Sequence, residues 1–228
     1  MFNMSNLGFD ILFNGMNFQR LCQGLAVSLK ISMISISLCF PLGLAMGMLM
    51  TLKNKVLRFF LRFYLEFIRI MPQLVLLYVI YFGTASTLGL KFTAELASII
   101  VFTLWGTAET GDLVRSALNS VPKHQHESAI ALGMSPYQTF MHIVFPQAVR
   151  RLIPQCVNLM TRMIKTTSLV LMIGVTEIMK TAQQIIEANR MSSPNAAFGV
   201  YFAVLVMYFV PCFLLSLLAR KLAKRWKY

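Results

Sequence analysis

Residues 121–154 read VPKHQHESAIALGMSPYQTFMHIVFPQAVRRLIP, and the turn chemistry of this stretch organises what lies on either side of it. Pro122 ends the helix before it, and His124 to Leu132 form a short helix stopped by Gly133, a residue that closes helices because it takes a positive φ without strain. Ser135 is placed to cap a second helix, Pro136 fits its first position, and Gln138 completes a Ser-x-x-Gln capping box. That helix then carries Phe140, Ile143 and Val144 as far as Pro146. The predicted unit is two short helices meeting at a sharp corner. Apolar Ala129, Leu132, Met134, Phe140 and Ile143 cluster around it, a pattern better suited to docking in a partner's groove than to a solvated loop.

Outward from the corner the chain is apolar in both directions. Of 228 residues, 57% are hydrophobic and 13% charged, and the mean hydropathy is +0.67; a soluble domain carries about a quarter charged residues. A spanning helix needs about 20 predominantly apolar residues, and the segments 24–50, 63–84, 94–113, 156–178 and 198–219 meet that standard. The fold class is therefore an all-α polytopic membrane protein with five transmembrane helices and a cytoplasmic loop. The first segment is too long for a signal peptide, follows a lead containing Asp10 and Arg20, and lacks a small-residue cleavage pattern. The expected organisation is an external amino-terminal segment at 1–23, a transmembrane domain at 24–219 with its cytoplasmic loop at 115–155, and a basic tail at 220–228.

The net charge of +13 has a membrane cause rather than a nucleic-acid one, because Lys and Arg collect in cytoplasmic loops. Lys53, Lys55, Arg58 and Arg62 follow the first span; Arg115, Lys123, Arg150 and Arg151 lie in the long connection; Arg220, Lys221, Lys224, Arg225 and Lys227 form the tail. The amino terminus is thus expected outside and the carboxyl terminus inside. Gly43 and Gly47 form a small-xxx-small face that permits close helix packing, and Pro41, Pro72 and Pro211 are positioned to kink spans. Cys22, Cys39, Cys156 and Cys212 sit in or beside apolar runs and read as buried hydrophobes, not as a disulfide or metal set. His124, His126 and His142 lack a convincing metal shell, and no nucleophilic triad or G-x-x-x-x-G-K-[ST] phosphate cradle occurs. No catalytic or metal residue is expected.

Intramembrane charges are site candidates because unpaired ions are expensive there. Glu66 and Arg69, Glu109 and Asp112, and Arg162 and Lys165 are each three apart, so each pair shares a helix face. Glu66 and Arg69 are expected as a structural pair. Opposite signs on the other two pairs allow an interhelical network, and Glu109, roughly 22 Å along its helix from the outer end, divides between lining a path and structural pairing.

With these residues in place the chain resembles the membrane-spanning permease subunit of polar amino-acid importers of the ATP-binding-cassette class. That family's cytoplasmic loop reads Glu-Ala-Ala, three residues, Gly, nine residues, Ile-x-Leu-Pro; here Glu127, Ser128 and Ala129 are followed by Gly133 and by Ile143 to Pro146. The likeness extends to Glu66 to Pro72, to Pro146-Gln147-Ala148, to Lys165-Thr166-Thr167-Ser168-Leu169, and to Gly174, Val175 and Glu177. It implies a type I ABC importer-like fold and an ATPase-coupling loop built from Glu127, Ser128, Ala129, Gly133, Ile143 and Pro146. It also implies a translocation path for which Glu109, Asp112, Arg162, Lys165, Thr166 and Ser168 are candidates. The implied assembly has a second permease subunit, identical or homologous, two cytosolic ATPases that hold the ATP and Mg, and an extracytoplasmic amino-acid-binding protein, set in the lipid of a prokaryotic cell membrane. This chain needs no cofactor and no nucleic acid. A passive channel or secondary carrier for small polar solutes is the alternative, and an inert anchor is disfavoured by Glu109 and Asp112. The same two acids tilt the expected substrate toward arginine, lysine or histidine.

Overall fold

In lipid every backbone N–H and C=O has to be satisfied within the protein, and a helix achieves this within one segment. The computed structural model describes residues 8–87, 89–191 and 193–225, and every regular element among them is helical. After a single turn at Asp10–Phe13 come α1, Asn17–Leu49; α2, Lys55–Ile70; α3, Gln73–Thr87; and α4, Ala94–Asn119. The chain continues through α5, Lys123–Ala131; α6, Pro136–Ile173; α7, Ile178–Ala188; and α8, Ala196–Arg225. Parts of the expected external segment (residues 1–7) and basic tail (residues 226–228, with Lys227) lie outside the described residues.

The boundaries differ from expectation for identifiable reasons. The segment 63–84, expected as one span that Pro72 could kink, is two helices bent by 102°, because Met71 precedes a proline and adopts extended backbone, φ −68° and ψ 131°, as steric conflict with the proline ring demands. Pro146 does not end the helix begun at Ser135. A π-helical turn at Phe140–Val144 has already interrupted the ordinary ladder, so a proline just inside the following segment Phe145–Thr166 forfeits little. The connection expected over 115–155 is correspondingly short, with α4 reaching Asn119 and α6 starting at Pro136. Among the described residues three helices, α1, α6 and α8, are long and apolar enough to cross a membrane, or four spans if α2 and α3 count as one; α4 carries Glu95, Glu109, Asp112 and Arg115.

The described residues group into two compact units. One draws on Met1–Ile34, Gln73–Val101 and Arg162–Leu214. Within it α7 buries Ile178, Thr181, Ala182 and Ile185, the i, i+3, i+4, i+7 stripe of an amphipathic helix. They pack with Leu21 of α1 and Val200 and Val204 of α8. Gly24 lets the backbones meet, since a Cβ there would stand 2.8 Å from Ile178 Cα. Truncating Ile185 to Ala in such a core costs about 2–5 kcal/mol.

The second unit comprises Ser35–Pro72, Phe102–Thr161 and Leu215–Tyr228. Asn54 caps α2 by accepting from the amides of Val56 and Leu57 at 3.0 and 3.1 Å. Leu65 packs on Met46 and Met50, and the Tyr64 hydroxyl donates to the Leu104 carbonyl at 2.8 Å. The small-residue face is a true contact: a Cβ on Gly43 would stand 2.4 Å from Thr110 Cβ, and one on Gly47 2.5 Å from Val114 Cβ.

Candidate functional site

The corner forms from the residues that predicted it. At the end of α5 the Gly133 amide donates to the Ile130 carbonyl at 2.9 Å and the Met134 amide to the Ala129 carbonyl at 3.0 Å. This is the Schellman pairing, and it puts Gly133 at φ +75°, where only glycine sits without strain. Ser135 Oγ accepts from the Gln138 amide at 3.3 Å while Gln138 Oε1 accepts from the Ser135 amide at 2.8 Å, closing the capping box. Glu127 and Ser128 are exposed and Ala129 is fully buried. A groove of about 550 Å³ lies in the corner, lined by Ile130, Met134, Thr139, Phe140 and Val144 among others. Leu132 does not join the apolar cluster as expected; it is 80% exposed and, with Ile130 and Tyr137 at 69% and 72%, gives the tip an apolar surface. Ile143 and Pro146 are partly buried on α6. Arg151 Nη1 on α6 donates to Ser120 Oγ at 2.7 Å, fastening the base of the corner to the end of α4.

The acidic pair on α4 belongs to a four-residue cluster in the same unit. Arg69 Nη2 stands 2.8 Å from Asp112 Oδ2 and its Nε 3.6 Å from Glu109 Oε1. Arg115, one turn further along α4, meets Asp112 Oδ1 through Nη2 at 2.6 Å and Nε at 3.1 Å. The expected Glu66–Arg69 pair is corrected here: Arg69 reaches across to two carboxylates on α4, no ion pair within bonding distance joins it to Glu66 among the described residues, and Glu66 stays exposed. Two acids attract the guanidinium more than one exposed acid does. With two arginines facing two carboxylates, the cluster carries no excess negative charge.

The remaining path candidates belong to the other unit. Thr166 Oγ1 donates to the Arg162 carbonyl and Ser168 Oγ to the Lys165 carbonyl, both at 2.9 Å, so each hydroxyl is spent on a carbonyl of the preceding turn of its own helix. Lys165 and Ser168 line a cavity of about 560 Å³ together with Met179, Tyr201, Tyr208 and Phe209; Arg162 and Thr166 are not among its walls. The segment Thr167–Ile173 is a 3₁₀-helix burying Thr167, Val170 and Ile173, the i, i+3 eclipse that a three-residue turn dictates. Beside the cavity Glu177 is fully buried. Its carboxylate caps α7, accepting from the Met179 and Lys180 amides at 2.9 Å, and accepts from Ser28 Oγ at 3.3 Å and from the Tyr208 hydroxyl at 3.2 Å. Tyr208 thus belongs both to the cavity wall and to the Glu177 cluster.

A family model described as "Binding-protein-dependent transport system inner membrane component" matches residues 40–228. The chain belongs to this family of transport-system inner membrane components. Among its relatives the probable glutamine ABC transporter permease protein GlnP of Bacillus subtilis (strain 168) is 34% identical over 206 residues, covering 90% of this chain and 93% of the relative. The probable glutamine ABC transporter permease protein GlnM of the same organism is 30% identical over 216 residues, 95% and 96% of the two chains. Among solved structures, an amino acid ABC transporter with histidines superposes with a TM-score of 0.83 at 24% identity, covering 91% of this chain and 94% of the other. An inward-facing MetNI methionine ABC transporter gives 0.73 at 18% identity, covering 92% and 98%.

This inner membrane component is a multi-pass cell-membrane protein and a subunit of a transport system. Its corner and its acidic pair were legible as sequence signals. The part that sequence reasoning missed is the buried cluster: Ser28 and Tyr208 lie 149 and 31 residues from Glu177. The available sign was a carboxylate just ahead of the amphipathic stretch 178–188, an N-cap signature.

Proposed function

We propose that this subunit forms half of the translocation path of an ATP-driven importer for polar amino acids, glutamine foremost. The observation that carries the coupling role is the capped corner, whose exposed Ile130, Leu132 and Tyr137 offer apolar anchors beside the exposed Glu127. Such anchors suit a groove on a cytosolic ATPase. In this reading two ATPases hold the ATP and Mg and perform hydrolysis, a second permease subunit, identical or homologous, supplies the other half of the path, and an extracytoplasmic binding protein delivers the substrate. The amino terminus faces outward and the carboxyl terminus the cytoplasm, following the Lys and Arg bias of Lys53 to Arg62 and of Arg220 to Arg225.

The expectation of a cationic substrate loses its basis, because Glu109 and Asp112 are met by Arg69 and Arg115. The cavity instead offers Lys165 and the Tyr201 hydroxyl as donors and the Ser168 and Tyr208 oxygens as acceptors, a set that suits a carboxylate and a neutral polar side chain. The GlnP and GlnM names of its relatives agree with that chemistry. Proteoliposomes containing both permease subunits, the ATPases and the binding protein test the reading: uptake of radiolabelled glutamine should require ATP and fall in Glu127→Lys. ATP-independent uptake would favour the passive carrier, and import of arginine, lysine or histidine unaffected by excess glutamine would sink the substrate choice.

A further inference from the structure

At the end of the second unit nearest the corner, the turn after α1, the first turns of α2 and the last turns of α4 enclose a cavity of about 200 Å³ lined by Met50, Thr51, Arg58, Arg62, Arg115 and Asn119. Three guanidinium groups border it and no carboxylate does. Arg115 has a counter-ion, Asp112, and among the described residues no ion pair is formed by Arg58 or Arg62. Arg58 spends one nitrogen on the Leu52 carbonyl at 2.6 Å, while its Nε is buried with no hydrogen-bond partner among the described residues. Three like charges around one polar space repel each other, and a buried N–H without an acceptor is costly. An anion with several acceptor oxygens removes both penalties at once.

We infer that this cavity binds the phosphate group of an anionic phospholipid. Arginine on three sides fits a tetrahedral oxyanion, since each planar fork can engage two oxygens, and the Asn119 amide adds a neutral donor. A lipid rather than a soluble source is favoured by the other face of α2. Phe59, Phe60 and Phe63 flank Arg58 and Arg62 and are 66%, 62% and 63% exposed, a surface for acyl chains beside a site for the headgroup. The helix carries its basic and aromatic residues on different sides, as a helix lying at the lipid boundary does. Assignment to the cytosolic leaflet rests on the orientation proposed above; lipid binding itself does not.

The test uses the purified complete complex in neutral detergent, offered limiting phosphatidylglycerol or phosphatidylcholine, with retained lipid counted by radiolabel or native mass spectrometry. Preferential retention of phosphatidylglycerol is expected, falling roughly fivefold for each arginine removed in Arg62→Gln and further in the Arg58→Gln/Arg62→Gln double variant. Among the described residues Arg62 makes no side-chain hydrogen bond, and it is exposed, so Arg62→Gln keeps the test valid where the double variant fails to assemble. Lys53→Gln/Lys55→Gln, which removes exposed charges outside the cavity, should keep the preference. Competition by millimolar inorganic phosphate supports the phosphate site, and binding of inorganic phosphate without a lipid preference assigns it to a soluble anion. Equal retention of both lipids with no phosphate competition, an unchanged preference in the arginine variants, or an equal loss in the lysine variant would overturn it. Because none of these readouts is transport, they stand or fall separately from the proposed import activity.

Discussion

Replacing Gly47 with alanine is the sharpest probe of the contact between α1 and α4. The added Cβ would stand 2.5 Å from Val114 Cβ and 2.6 Å from the Gly111 carbonyl oxygen, against an ordinary contact of at least 3.4 Å. The difference, 3.4 minus 2.5, means that the two helices have to part by about 0.9 Å locally. Part of the obstruction is backbone, which no rotamer change relieves. Overpacking of this kind costs about 1–3 kcal/mol, and the upper end applies to a backbone clash. Alanine recovers about 1 kcal/mol of helix propensity, leaving a net loss of about 2 kcal/mol. For a chain of this size that is a fall in melting temperature of about 4–8 °C. Gly83→Ala is the matched control: its Cβ meets only Val79 Cγ1, at 3.8 Å, so propensity acts without a clash and the melting temperature should hold or rise. Thermal unfolding of detergent-purified variants, followed with a thiol-reactive dye, reads both. Equal shifts for the two alanines would refute the close-contact argument, and a rise for Gly47→Ala would reverse it.

Gly133→Ala has open space for its Cβ, so its cost is backbone alone, about 1–2 kcal/mol for a left-handed residue; substrate-stimulated ATP hydrolysis and uptake should fall while membrane insertion holds, and unchanged stimulation and uptake would count against the corner as the coupling element. Asp112→Asn strips the shared anion from Arg69 and Arg115 and should lower stability by about 2–4 kcal/mol. Adding Arg69→Gln to that variant should then cost less than it does alone, and strict additivity in the double-mutant cycle would contradict the cluster. Glu177→Leu should cost at least the roughly 1 kcal/mol of a lost N-cap and speed hydrogen exchange at Met179 and Lys180, whereas exchange confined to distant amides would show that the carboxylate does not hold α7.

What the sequence disclosed and what it withheld divide along physical lines. The capped corner, the glycine contact and the apolar helices were legible because each is written in neighbours: a Ser-x-x-Gln box, a Gly-x-x-x-Gly face, a run of about 20 apolar residues. The break at Met71 was signalled by Pro72, yet hydropathy averages across it. Arg69 was placed wrongly because spacing on one helix names a possible partner without weighing those on another. The Glu177 cluster and the arginine cavity were invisible for the same reason: Ser28 and Tyr208, or Arg58 and Arg115, meet through tertiary packing that no local period records. Pro146 misled because a terminator was assumed where the π-helical turn had already changed the register.

The π-helical turn at Phe140–Val144 has a mechanical consequence. It joins the corner directly to the segment Phe145–Thr166, so every residue between the capping box and that segment is held in hydrogen-bonded backbone. A partner gripping Tyr137 therefore acts on a linkage with no slack: a push or twist there is not absorbed by a floppy tether but must either carry the helix along or shift its one over-wide turn by a residue. The wide turn is the single place where this linkage can give, which makes it both the joint of the lever and the first point to fail under load.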